Sequence, residues 1–249
     1  MLKDVEKIIE NFKPITLNEM NSVALMKRTD TKFVVNKSQL ISILENLKND
    51  YKVLEINSDR IMSYSSLYFD TESNKFYNDH HNGKNNRTKI RQRKYVESDL
   101  CFLEIKQKNG KGETNKTRIP VKDFELNLTQ DSKKFIANTT HQEYNLEPSL
   151  WNAFNRITLV NIKSKERVTL DLNLNYKIKD VEKSFENLVV IEVKQERFNR
   201  KSKIVRALKS IHQHPYSISK YCIGMISLYN DLKYNVFKKK LIRINNTIA

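Results

Sequence analysis

Cysteine is scarce in this sequence: Cys101 and Cys222 are the only two, and their separation fits no zinc-ligand spacing. Both read as reduced, half-buried small residues. No run of about 18 apolar residues occurs, so no helix is expected to cross a membrane. The stretch MLKDVEKIIENFK lacks the apolar segment and small-residue cleavage site of a secretory signal, and the expectation is a soluble, cytoplasmic protein. Low-complexity linkers and internal repeats are missing too, which favours a single domain over residues 1–249.

Two familiar chemistries fail on what they lack. GKGETNKT at 110–117 approaches a Walker A loop, but Asn115 stands at the second glycine. The required helix is also absent, because RIPVKDF follows with Pro120 in an extended run; a hairpin turn is the better reading. His80 and His81 read as a turn, and His212 and His214 precede Pro215 near a helix end. None has i, i+4 ligand spacing, so capping and surface roles are expected rather than metal binding.

Positive charge is what the sequence has in excess. Lys and Arg number 45 against 29 Asp and Glu, a formal net charge of +16. Such a field attracts anions: nucleic acid, acidic lipid or polyphosphate. Lys, Asn and Ile are all abundant, as in a compositionally biased genome, so charge alone names no ligand. The 39% apolar content is enough for a core.

Residues 2–12 read as an amphipathic helix, and MKRTDTKFVV as a first strand. Asn36 or Ser38 is expected to cap a helix over SQLISILENLKND, with Leu40, Ile43, Leu44 and Leu47 at helical spacing. Strands follow in YKVLEI, SYSSLYFD, RTKIRQRKYV, DLCFLEIKQK and TNKTRIPV, separated by turn residues such as Asp70, Asn82, Gly83, Gly110 and Gly112. Residues 122–156 read as mostly helical and polar up to Pro148 and the apolar SLWNAF, with Trp151 as a packing anchor. ITLVNIK, RVTLDLNLNYKI and LVVIEVKQE read as strands, and SKIVRALKSIH and IGMISLYNDLKYNVF as closing helices. This pattern predicts an antiparallel α+β domain, with a closed barrel as its expected form.

Read at period two, the strands repeat one feature. Glu104, Lys106 and Lys108 share a face with Phe102, and so do Lys89, Arg91 and Arg93 on their strand. Arg167, Thr169 and Asp171 form another such set, as do Glu192, Lys194 and Glu196. The opposite faces carry Ile90, Leu103, Ile105, Val168, Leu170, Leu172, Ile191 and Val193. A single strand of this kind usually has a wet outer face. Four of them suggest a closed sheet with the charges inside, and a cation-rich interior calls for a polyanion or a metal-bound anion.

The ordered set KRTDTKFVV, SLYFDT, NGKNNRTKIRQR, FLEIKQK, FNR, RVTLDLNL, VVIEVK and SISKY resembles the polyphosphate polymerase (vacuolar transporter chaperone) domain family, within the triphosphate tunnel metalloenzymes. The likeness runs from about residue 24 to about 240, with the motif order kept. It implies an antiparallel eight-stranded β-barrel with flanking helices and a basic tunnel for a triphosphate or polyphosphate. Reactive or phosphate-gripping roles are implied for Lys32, Arg91, Arg93, Lys106, Arg156, Arg167, Lys194 and Lys220. Further phosphate or nucleotide contacts are implied for Lys89, Lys116, Arg118 and Ser219.

Glu192 would be the ligand of a divalent metal, Mn2+ or Mg2+, with Glu104 a second candidate that could instead hold an arginine. The implied reaction makes polyphosphate from the γ-phosphate of ATP. Hydrolytic relatives carry Glu-x-Glu-x-Lys on the first strand, whereas this chain has Arg28, Asp30 and Lys32, which fits the polymerase branch better. A triphosphate or polyphosphate hydrolase, a non-catalytic polyphosphate-binding module and a nucleic-acid binder using Tyr64, Tyr68, Phe69, Phe76 and Tyr77 remain the alternatives. No specific nucleic acid is expected as partner, a membrane-protein partner is compatible with the family, and the sequence does not indicate an oligomeric state.

Overall fold

The computed structural model describes residues 2–20 and 29–248. Among these are helices α1 (Leu2–Glu10), α2 (Leu17–Met20), α3 (Lys37–Leu47), α4 (Lys75–His81), α5 (Gln130–Thr140), α6 (Lys203–Ser210), α7 (Lys220–Leu228) and α8 (Asn235–Ile248). The strands are β1 (Lys13–Ile15), β2 (Thr29–Asn36), β3 (Lys52–Leu54), β4 (Met62–Asp70), β5 (Arg87–Tyr95), β6 (Leu100–Lys108), β7 (Thr114–Val121), β8 (Glu147–Asn161), β9 (Glu166–Ile178), β10 (Val181–Phe185) and β11 (Leu188–Gln195). The start of the expected first strand, Met26 to Arg28, lies outside the described residues.

Eight strands follow one another in the order β2-β11-β9-β8-β4-β5-β6-β7, every neighbouring pair antiparallel. β10 extends the β9 hairpin, β3 pairs with β8, and β1 lies parallel to β3. The sheet wraps around a lumen. Lys32 Nζ on β2 bonds the Ile218 carbonyl at 3.3 Å, and Lys89 Nζ on β5 bonds Ser219 Oγ at 2.9 Å, so distant strands of the order converge on the start of α7. This is the expected α+β tunnel architecture, with a seam: the end strands β2 and β7 are not paired to each other through their backbones.

Helices cover the apolar outer face. Leu40, Ile43, Leu44 and Leu47 of α3 pack with Ile204 and Leu208 of α6 onto Val168, Leu170, Leu172, Ile191 and Val193. Ile136 of α5 lies on Ile90, Leu103 and Ile105. Asn36 caps α3 in a box with Gln39, so its first turn starts where β2 ends. At α7, a Cβ on Gly224 would run into the Tyr176 ring and Leu150, so only glycine lets this helix sit so close to β8 and β9.

Several elements differ from the sequence expectations. Between 122 and 156 only α5 is a long helix, and SLWNAF belongs to the 15-residue strand β8. Leu150 and Phe154 point to one cluster while Trp151 turns the other way onto Phe124, with ring centroids 4.7 Å apart. The apolar run resembled a helix because both faces of this strand are covered. His80 and His81 lie on α4 rather than in a turn. The last apolar segment is split into α7, capped by Ser219, and α8. β1 and β10 were not anticipated; at three and five residues they are too short to show periodicity. No described helix is long and apolar enough to cross a membrane.

Candidate active site

Strand register builds one wall of the lumen in rows. Arg91 on β5, Glu104 on β6 and Arg118 on β7 stand in line, and the next row is Lys89, Lys106 and Lys116. Arg91 donates Nε (2.9 Å) and Nη2 (2.7 Å) to Oε2 of Glu104, and Nη1 to the Tyr68 hydroxyl at 3.1 Å. Lys116 reaches diagonally to Oε1 of the same carboxylate. Glu104 is fully buried, which opposes its ionisation, but Arg91, Arg93 and Lys116 outweigh that and hold it well below the usual carboxylate range.

The opposite wall repeats the device twice. Arg156 on β8 grips Asp171 on β9 with a two-pronged contact, Nε to Oδ1 at 2.6 Å and Nη2 to Oδ2 at 2.8 Å, and Lys220 from α7 also donates to Oδ2. On β11, Glu192 is held by Lys194, with Lys32 of β2 at 3.7 Å; Lys194 also lies 3.8 Å from Asp30. Burial works against the charge of Asp171 and Glu192, and their cations again overcome it, keeping both acids well below the ordinary range.

Cations remain after these pairings. Among the described residues Arg93 finds no carboxylate: its Nε donates to Ser66 Oγ at 3.0 Å, and its guanidinium lies 5.4 Å from each of the Tyr64 and Phe154 ring centres. Burial, then the neighbouring Arg91, lower it to about 10. Lys106, half-buried, has no described ion pair, and the Arg91 charge together with burial pushes its ammonium well below the ordinary lysine value. Arg156 shares the Tyr64 and Phe154 rings, which stack at 5.2 Å and 3°, and Lys220 Nζ sits 4.5 Å from the Phe154 centre.

The structure thus gathers Lys32, Lys89, Arg91, Arg93, Glu104, Lys106, Lys116, Arg156, Glu192, Lys194, Ser219 and Lys220 around one space. Ser219 has two duties there, accepting from Lys89 and capping α7 through the Cys222 amide at 3.3 Å. Arg118 is more exposed and lies over the Phe102 ring at 4.3 Å. Arg167 stands opposite Lys194 and Val160 in the register. Asp171 was seen on a charged face but its pairing with Arg156 and Lys220 was not. Ser66 and Tyr68 alternate with apolar residues in SYSSLYFD, a signal that their face points inward.

Among the described residues, no three His, Cys, Asp or Glu side chains form a metal cage. The local donors are the hard oxygens of Glu192, with Asp30 reaching the same lysine. Mg2+-type ions take one or two carboxylates and complete their shell with water and substrate phosphates. The donor set fits such a shared ion and not a self-contained protein cage.

The VTC domain family matches residues 27–229 of the chain. No curated protein matches its sequence. Among solved structures, a putative adenylyl cyclase from Hippeastrum, described as having a dominant triphosphatase activity, is 13% identical with a TM-score of 0.53, covering 84% of this chain and 99% of that one. A putative adenylate cyclase from Vibrio parahaemolyticus is 11% identical with a TM-score of 0.47, covering 79% of this chain and 97% of that one. At 13% identity the likeness to the Hippeastrum protein is a likeness of fold alone.

Proposed function

The chain belongs to the VTC domain family, and from that premise we propose that it polymerises inorganic polyphosphate from the γ-phosphate of ATP by metal-dependent phosphoryl transfer inside its basic lumen. The observation carrying this reading is the charge balance of the lumen. Glu104, Asp171 and Glu192 are each already satisfied by two cations, yet Arg93, Lys106 and Lys89 converge on the same space with no carboxylate of their own among the described residues. A linear polyanion supplies the missing charge along its whole length.

Phosphoryl transfer needs placement and cancellation of negative charge more than covalent help. Arg91, Arg93, Arg156 and Arg167 would grip phosphates through paired N–H donors, and Lys32, Lys106, Lys194 and Lys220 would act as point charges. Lys89, Lys116, Arg118 and Ser219 would hold the chain beyond the reacting centre. Glu104 would serve to fix Arg91. Glu192 would hold the divalent ion, Mn2+ or Mg2+, which when bound neutralises the phosphate oxygens. A terminal oxygen of the growing chain would attack the γ-phosphorus in line; a new P–O–P link forms, the β–γ bridge breaks, and ADP leaves.

Incubation of the purified protein with ATP and Mn2+, with products resolved by chain length, tests this. Long polyphosphate with ADP is the expected result. Free phosphate or tripolyphosphate alone would assign hydrolysis, and tight polyphosphate binding without turnover would assign a binding module.

A further inference from the structure

One end of the lumen carries an arrangement that the three carboxylate clusters do not explain. Arg87 on β5 stands directly opposite Lys108 on β6, and the adjoining inward-facing pair is Lys89 opposite Lys106. Two like-charge pairs in succession are unfavourable in a sheet unless something else answers them. Lys108 is followed across the sheet by Thr114 on β7, so no acid completes that row.

Helices bring further groups to the same end. His80 of α4 contacts the Phe237 ring of α8 at 5.9 Å between centroids, and Lys240 Nζ lies 5.7 Å from that ring. Lys89, Arg87, Lys240 and Lys108 all act on the His80 imidazole, which burial and these charges lower to about 3, so it stays neutral. Its buried Nδ1 has no hydrogen-bond partner among the described residues. The acid next along α4, Asp79, is already taken by Lys75 at 2.8 Å and Lys84 at 2.7 Å. Arg87, Lys108 and Lys240 have no described carboxylate partner, in contrast to Arg91 and Arg156 deeper in the lumen, which are paired with Glu104 and Asp171.

We propose that Arg87, Lys89, Lys108 and Lys240, beside His80, form a second phosphate site that holds the stretch of an inorganic polyphosphate lying beyond the reacting terminus. The site continues the lysine row of Lys89, Lys106 and Lys116, so a chain gripped in the lumen meets it without a gap in positive charge. A triphosphate bound at Arg91, Arg93 and Arg156 would reach no further than Lys89, because Arg87 and its partner Lys108 lie about 13 Å along the strands from Arg91. The inference rests on the polyphosphate reading of the lumen, but its test does not require turnover.

The test is equilibrium binding of tripolyphosphate and of long-chain polyphosphate to the full chain at fixed salt. The variants are R87Q/K108Q/K240Q and, as the change least able to disturb folding, K240Q on the half-exposed face of α8. Removing cationic phosphate contacts weakens polyanion binding and its salt dependence. The triple variant should bind long chains about tenfold more weakly with a shallower salt dependence, and K240Q about two- to threefold, while tripolyphosphate affinity stays within about twofold. Equal losses for both ligands, or no loss for the long chain, would overturn the site. A single-stranded oligonucleotide bound as tightly as polyphosphate, with the same loss in the triple variant, would assign it to nucleic acid and overturn it as well. If ATP yields no polymer while the length-dependent loss persists, the polymerase reading fails and this site stands.

Discussion

Arg91 and Glu104 face each other across β5 and β6, and two guanidinium nitrogens of Arg91 donate to the same carboxylate oxygen. The pair is buried and cannot be replaced by water, so Glu104 ties the lumen arginine in one orientation. Glu104→Gln should leave Arg91 and Lys116 beside Arg93 and Lys106 without a counter-charge. Breaking a buried pair costs about 3 kcal/mol or more, which denaturant unfolding would register. Added tripolyphosphate should return part of that loss by binding the folded state, and an unchanged unfolding midpoint in its absence would refute the role given to Glu104.

Arg93 should behave in the opposite way. With no carboxylate partner among the described residues and Arg91 close by, its charge is unfavourable until an anion is bound. Arg93→Lys keeps the charge but loses the fork that matches phosphate oxygens. Phosphoryl transfer should fall by about 10²-fold, in line with the removal of a preorganised charge donor, with stability little changed. A variant that unfolds easily but retains full turnover would contradict this.

Lys220 gives the lumen a pH dependence. Burial lowers it from 10.5 to about 8, with Asp171 partly opposing the shift. A lysine with a lowered folded-state value binds fewer protons folded than unfolded, so in the absence of ligand its contribution to stability should rise as the pH goes from about 8 towards 10.5. Anion binding should move the other way, weakening over the pH range in which the ammonium loses its proton. Lys220→Arg should flatten that part of the binding profile, and tripolyphosphate titrations from pH 7 to pH 10 would read the difference.

Glu192 separates metal dependence from chain binding. Glu192→Gln removes the carboxylate that Lys194 and Lys32 now share, freeing both cations for phosphate. Polyphosphate binding in the absence of metal should be preserved or strengthened, while the Mn2+-dependent part of the activity is lost. Metal-dependent turnover that survives the substitution would remove Glu192 from the metal site.

Much of the lumen was legible because a strand's side chains alternate strictly. Lys89, Arg91, Arg93, Glu104, Lys106, Glu192 and Lys194 share faces opposite Ile90, Leu103, Ile105, Ile191 and Val193, and the structure covers those apolar residues with α3, α5 and α6. The strand β8 was harder to see. Its neighbour β9 carries an extra residue, shown by the register shift between Ala153 and Asn155 and by the positive φ of Asn173, and such irregularities follow from strand pairing, not from local pattern. The α7 and α8 boundary was also missed, since both segments are apolar and only the Ser219 cap and the intervening loop divide them.

Local periodicity and the excess of cations over acids were enough to imply a sheet with charge on its inner side and a polyanion as its natural partner. Which cation meets which acid depended on the register between strands, some neighbouring and some far apart in the chain. Arg156 meets Asp171 through the β8–β9 register, Lys32 meets Glu192 through β2 and β11, and Lys220 arrives from a helix to complete the Asp171 cluster. An ion pair acts over a few ångströms, whereas the alternation of a strand is a property of its own backbone; the first therefore emerges only when the sheet has wrapped, and the second is written residue by residue.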